Sequence, residues 1–261
     1  MRYVYFTKTL QKLTLEQLVA FARDTGLAGF DLAVRPGYPV TPDNAVKMLP
    51  QAAKQFADAG LVIGLVTAPT SLTDPRSKVA EALFEACGAA GVPAIKIGYF
   101  TYRPPIDTGL QTARQALAGF ARLAERTKVK ACYHTHSGAY LGNNGAGLRL
   151  LLQDLDPHHV GAFFDTGHTA VNGGPVRMEL DLVRPWLHLL AIKDMAWRKE
   201  GGAEVVPVGK GIVRWSEVGR ALKEVKFTGT VSLHGEYEAK DLDERKQLAR
   251  EELSALKKWL G

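Results

Sequence analysis

Two histidines, His134 and His136, stand two residues apart where the run VKACYHTHSG leaves an apolar, β-branched segment. Strand side chains alternate between faces, so both would point the same way. Neutral imidazoles sharing a pocket bind a divalent metal or hold hydroxyl groups, and the chain has only seven histidines to place. Chemistry-bearing residues recur at the ends of other short apolar runs. VGAFFDTGHTAVNGG supplies Asp165 and His168, HLLAIKDMAW supplies Lys193 and Asp194, and TVSLHGEYE supplies His234, Glu236 and Glu238. Earlier runs end on Arg35 in DLAVRPG, on Thr67, and on Lys96 with Tyr99. Carboxylates, imidazoles and lysines gathered in one place could bind a metal and move a proton next to a carbonyl.

What gathers them is the order of elements. Short apolar runs occur near 3–7, 28–34, 61–67, 94–99, 129–135, 160–165, 187–193 and 229–235, with amphipathic stretches of helical spacing between them. Thr14 followed three residues on by Gln17 is a capping-box start. Asp74-Pro75 and Asp156-Pro157 place proline at a first helical position. Gly26, Gly60 and Gly91 fall where helices would stop. Eight strands alternating with helices predict a parallel sheet, closed into one (β/α)8 barrel domain over residues 1–261. An open doubly wound sheet would carry a glycine-rich phosphate turn after an early strand, and no GxGxxG occurs there. In a closed barrel the strand exits share one face, so residues far apart in sequence would meet.

Composition supports a large core and narrows the partners. With 46% hydrophobic residues the chain needs no disulfides, and Cys87 and Cys132 read as small core residues. That fits a reducing, cytoplasmic location. The N-terminus MRYVYFTKTL has no apolar leader, and no apolar run reaches the roughly 18 residues of a membrane span. Net charge is +6, but basic residues such as Arg122, Arg126, Lys246 and Lys257 alternate with acids, as on a solvated face. A nucleic-acid partner is therefore not expected. His158 and His159 lie outside any strand exit, and GKG at 209–211 is a short candidate for an anion cradle.

The motifs FFDTGH, AIKDMAW followed by PVGKGIVRW, and SLHGEYE, with GFDLAVRPG near the start, resemble the xylose-isomerase-like superfamily of TIM barrels. Within it they look like the sugar phosphate isomerase and epimerase group. The resemblance implies a small carbohydrate substrate and one divalent metal (Mn, Co, Mg or Zn), held by Glu, Asp, His and Glu at the exits of strands five to eight. Position by position, the first ligand falls on His134 and the second on Asp165. The third, in an H-x-K-D pattern, falls on Ala191, and the last on His234 or Glu236. His168 follows Asp165 at the family's D-x-x-H spacing, where the histidine holds substrate hydroxyls. The metal site is thus expected either to be rebuilt, from His134, Asp165, Glu236 and His136 or His234, or to be lost. In the second case Lys193 would supply the positive charge.

The implied activity is isomerisation or epimerisation of a ketose or keto-sugar through an enediolate. Glu236 would act as base, His134 or His168 would relay the proton, and Lys193 would assist. The same intermediate would serve a dehydratase or lyase, and a metal-free sugar-binding barrel is the non-catalytic alternative. Endonuclease IV relatives need a trinuclear zinc cluster, which Thr67 at the third exit and the few histidines argue against. Arg35, His136, Tyr99, Trp197 and Asp194 are the expected substrate contacts. Structural readings stand beside these: Arg35 pairing with Asp31, Lys193 with Asp194, and Asp165 capping the next helix. Relatives are often dimers or tetramers, so a homo-oligomer is an open expectation.

Overall fold

The computed structural model describes residues 1–261. Its strands are β1 (Arg2–Phe6), β2 (Gly29–Ala33), β3 (Val62–Thr67), β4 (Ala94–Lys96), β5 (Lys130–His134), β6 (Val160–Asp165), β7 (Leu187–Ile192), β8 (Asp194–Trp197), β9 (Ala203–Val206) and β10 (Thr230–Leu233). Eight of them close into a parallel barrel in the order β1-β10-β7-β6-β5-β4-β3-β2, and β8 pairs with β9 in a separate antiparallel hairpin. The helices are α1 (Leu15–Thr25), α2 (Ala45–Asp58), α3 (Lys78–Ala89), α4 (Ile106–Thr127), α5 (Gly145–Leu152), α6 (Thr166–Val171), α7 (Val176–Val183), α8 (Trp215–Glu224) and α9 (Leu242–Leu260). The predicted (β/α)8 barrel is the fold.

Barrel strands are covered on both faces, which is why they read as continuous apolar runs rather than alternating ones. Every residue of β2 and β6 is buried. Inside the barrel, Val4, Leu65, Ala94, Cys132, Phe163, Leu189 and Ala191 pack together as one apolar plug. The larger core lies between the strands and the helices. The layer above the plug, toward the strand exits, is polar. Parallel pairing sets Thr67 beside Lys96, and sets Ala191 between Asp165 and Ser232.

Local signals mostly act as expected. Thr14 Oγ1 accepts from the Gln17 N–H at 3.3 Å and Gln17 Oε1 accepts from the Thr14 N–H at 2.9 Å, so the capping box forms. Gly26 ends α1 in the left-handed region at φ 73°. Both cysteines are free and buried. The two Asp-Pro pairs behave differently from the expectation. Asp74 accepts from the Arg76 N–H at 3.0 Å, and α3 begins only after Ser77, whose hydroxyl caps the Ala80 N–H. Asp156 accepts from the His158 N–H at 2.8 Å, and the chain then enters β6 with no helix between. In both places the aspartate satisfies the amide two residues on and makes a turn. No helix is long and apolar enough to cross a membrane.

Candidate functional site

His134 ends β5 with its ring buried. Its Nδ1 is 2.9 Å from the Tyr99 hydroxyl, and its Nε2 lies 3.3 Å from Asp165 Oδ2. Asp165 ends β6 and is also the N-cap of α6, with Oδ1 accepting from the His168 N–H at 2.8 Å. The Thr135 hydroxyl accepts from the Asp165 N–H at 2.8 Å and pins the backbone there. Asp165 Oδ2 is left with no hydrogen-bond partner. His234 follows β10, its ring parallel to that of His134 with centroids 5.8 Å apart. Asp31 Oδ2 is 3.5 Å from His234 Nε2, and Glu236 Oε1 is 3.4 Å from His234 Nδ1.

Lys193 leaves β7 and ties the exits together. Its ammonium is 3.0 Å from Glu236 Oε1, 3.8 Å from Asp165 Oδ2 and 3.1 Å from His168 Nε2. An ammonium only donates, so His168 Nε2 accepts and its Nδ1 carries the proton, given to Ser137 Oγ at 2.9 Å. Burial holds this neutral His168 down, at about 3. Burial likewise pushes His134 well below the ordinary histidine range. Burial opposes the charged forms of Asp165 and Glu236 too, but the groups around them win. His168 and Lys193 hold Asp165 below the carboxylate range, and Lys193, His234 and Lys8 do the same for Glu236. For Lys193, burial lowers and the Asp165 and Glu236 carboxylates raise, with a net rise. Lys8, in the turn after β1, forms a second ion pair with Glu236.

The metal implied by the resemblance can be tested against these atoms. One donor each from His134, Asp165 and His234 lie within 4.8 Å of one another. His134 Nε2, Asp165 Oδ2 and His234 Nε2 are all buried without a hydrogen-bond partner. Two imidazoles and a carboxylate fit a divalent ion, with positions left open for substrate, once His234 gives up the proton that Asp31 and Glu236 favour. Tyr99 can fix the tautomer that frees Nε2 of His134, by accepting from Nδ1–H. Ala191 has no donor to offer. Glu236, expected as a fourth ligand, is outside the three mutually close donors and is held by Lys8 and Lys193.

The cavity over this layer measures about 90 Å³. Of the residues read from the sequence, Arg35, Tyr99, His134, His136, Lys193, His234 and Glu236 line it. His136 donates from Nδ1 to the Ser137 carbonyl at 2.8 Å and stacks on His168 at 3.8 Å. His168 itself stands behind the lining and reaches the cavity through Lys193.

Two expected substrate contacts are elsewhere. Trp197 is 57% exposed at the end of β8 and walls a different groove. Asp194 is fully buried and accepts from the N–H groups of Met195, Gly209, Gly211 and Val213 and from Trp215 Nε1, at 2.9–3.1 Å. Alternation along the chain explains it, because neighbours of Lys193 face away from the barrel axis. Those bonds also consume the amides of the 209–211 loop, so it is no anion cradle. Gly211 is required there, since a Cβ would collide with the Asp194 carboxylate.

Sequence reasoning passed over Lys8 because the inventory of exits began at the second strand. Asp31 was read only as a partner for Arg35. In the structure it lies inside the barrel and accepts from the hydroxyls of Thr67 at 2.6 Å and Ser232 at 2.9 Å. Lys96 was noted at an exit but not placed in the site, although it lines the cavity.

Among solved structures, three similar chains span the whole barrel. D-psicose 3-epimerase from Clostridium cellulolyticum H10, with D-tagatose, is 14% identical with a TM-score of 0.80, covering 100% of this chain and 99% of the other. The 3-keto-D-glucoside 4-epimerase YcjR from E. coli is 17% identical with a TM-score of 0.77, covering 99% of each. The probable 3-DHS dehydratase AsbF from Bacillus anthracis is 15% identical with a TM-score of 0.77, covering 98% and 99%. At such identities the likeness is one of fold. No curated protein matches the chain. The model of the xylose isomerase-like TIM barrel matches residues 19–259, nearly the full length, and the chain belongs to that family.

Proposed function

We propose that this protein is an enzyme that moves a proton on the carbon beside a carbonyl of a small keto-sugar, an isomerase or epimerase working through an enediolate. One observation carries the reading. Two imidazoles, His134 and His234, and the ionised Glu236 line one small strand-exit cavity, and the bare oxygen of Asp165 lies within 4.8 Å of a donor nitrogen on each imidazole. His134, Asp165 and His234 would hold a divalent ion, which when bound polarises a carbonyl and its neighbouring hydroxyl as a Lewis acid. Glu236 is the group for proton removal. It is the one carboxylate lining the cavity, and its cationic neighbours keep it ionised. Those neighbours also restrain its basicity, so proton removal is tied to Lys193. As Glu236 takes a proton, the Lys193 ammonium is released toward negative charge developing on a substrate oxygen. His168, held by Ser137, sets the direction of that ammonium.

The same contacts favour a second reading, a keto-sugar dehydratase. Lys193 touches both Glu236 and neutral His168, so a proton donor stands beside the proton acceptor. Expelling a β-hydroxyl as water needs that pairing. Incubation with phosphorylated and free ketoses and keto-sugars in D₂O, followed by NMR, separates the outcomes. Deuterium at the carbon next to the carbonyl with a new isomer supports the first reading. Loss of water supports the second. Neither across the whole panel leaves a sugar-binding barrel without catalysis.

A further inference from the structure

Two basic side chains that line the cavity, Lys96 and Arg35, take part in no ion pair. Lys96 is 2% exposed, and its Nζ has no hydrogen-bond partner. Its Nζ lies over the face of Tyr99, 3.5 Å from the ring centroid. Arg35 is half-buried over Phe6, and its Nε is likewise buried without a partner. The obvious partner for both is Asp31, and it is taken. Thr67 and Ser232 donate to its two oxygens, and no ion pair joins it to Arg35 or Lys96. Glu236 is already shared between Lys8 and Lys193. A buried cation without a partner is costly. Burial, then the Arg35 guanidinium, push Lys96 well below the ordinary lysine range, against a weaker upward pull from Asp31 and Glu236. A divalent ion on His134, Asp165 and His234 would add further positive charge to the same small space.

We propose that the substrate carries a carboxylate, and that Lys96 and Arg35 bind it. This rests on the keto-sugar reading above and narrows it to a keto-sugar acid. A carboxylate is favoured over a phosphate ester for two reasons. The cavity is small, about 90 Å³, and a planar three-atom group needs less room than a tetrahedral phosphate. Phosphates are also usually cradled by backbone amides of a glycine-rich loop. Here no glycine lines the cavity, and the loop around Gly209 and Gly211 spends its amides on Asp194.

The test uses three probes that differ at one carbon: D-fructose, the acid in which its C6 is oxidised to a carboxylate, and D-fructose 6-phosphate. Calorimetric affinities are measured on the wild-type protein and on Lys96→Met and Arg35→Met. The acid is expected to bind at least roughly tenfold more tightly than D-fructose, and each variant should bring that ratio to about one. Equal affinity for acid and neutral sugar overturns the proposal. So does tightest binding of the phosphate, or a preference that survives in Lys96→Met. The three-probe comparison on wild type decides the matter even if a variant fails to fold. Deuterium uptake, read on the same samples, separates this proposal from the one before it. Uptake without acid preference overturns the carboxylate pocket alone. Acid preference without uptake keeps the pocket and overturns the proton-transfer reading.

Discussion

Asp165 and Asp194 lie at neighbouring strand ends, and both are fully buried. They are treated in opposite ways. Asp194 receives five hydrogen bonds and closes the loop from β9 to α8 around itself. Asp165 keeps one oxygen bare and points it at two imidazoles and an ammonium. Burial alone therefore does not mark a functional carboxylate. What marks it is an unsatisfied lone pair in a place where satisfying it would have been easy. One aspartate stabilises the fold, and the other leaves part of its binding capacity for something outside the protein.

The sharpest way to break that contrast is substitution of both residues in parallel. Asp165→Ala is expected to abolish deuterium exchange while the barrel still folds, with a loss of about 1–2 kcal/mol in urea unfolding from the missing α6 cap. A mutant that keeps its rate would make Asp165 only a helix cap. Asp194→Ala is expected to destabilise by about 3–5 kcal/mol in urea unfolding, since it strands buried donors that have no other acceptor. A loss under about 1 kcal/mol would mean water replaces the carboxylate.

Lys193→Met comes next. If the ammonium stabilises charge on the substrate, the rate should fall by about 10²–10³-fold with no change in bound metal, checked by elemental analysis. Unchanged activity would reduce Lys193 to an ion-pair partner of Glu236.

The smallest effect is on the pH dependence of stability. His168 is held at about 3, against 6.5 for an ordinary histidine, so the unfolded chain binds its proton first as pH falls. His134 is depressed in the same direction. Their contribution is present above pH 6.5 and is lost progressively as pH drops toward 3. His234 has a raised value, where burial lowers but Asp31 and Glu236 raise more. Its contribution is present below 6.5 and fades above it. His168→Gln should therefore flatten the decline in melting temperature between pH 6.5 and 4, and an unaltered slope would place the titration elsewhere.

Much of the barrel was legible because strand and helix periods leave different marks, and because closure forces the exits onto one face. His134, His136, Lys193, His234 and Glu236 could be named from their places at those exits. Asp194 was misplaced because alternation separates it from Lys193, and Trp197 because the β8–β9 hairpin carries it to a different groove. The hairpin of β8 and β9 was not seen, since its short segments look like loop. Asp156-Pro157 was read as a helix start, yet an aspartate that bonds two residues ahead makes a turn just as well. Polar atoms left without partners, at Lys96 and Asp165, have no signature in a sequence at all. They depend on which neighbours turn away.

The double duty of Asp165 has a thermodynamic consequence. One oxygen caps α6 through the His168 amide, and this fixes the rotation of the carboxylate before any ligand arrives. The entropy of orienting that oxygen is lost during folding, not during binding. Ligand affinity is thereby linked to the integrity of a six-residue helix. Fraying of α6 would be felt first as weaker binding, long before it lowered the melting temperature of the barrel.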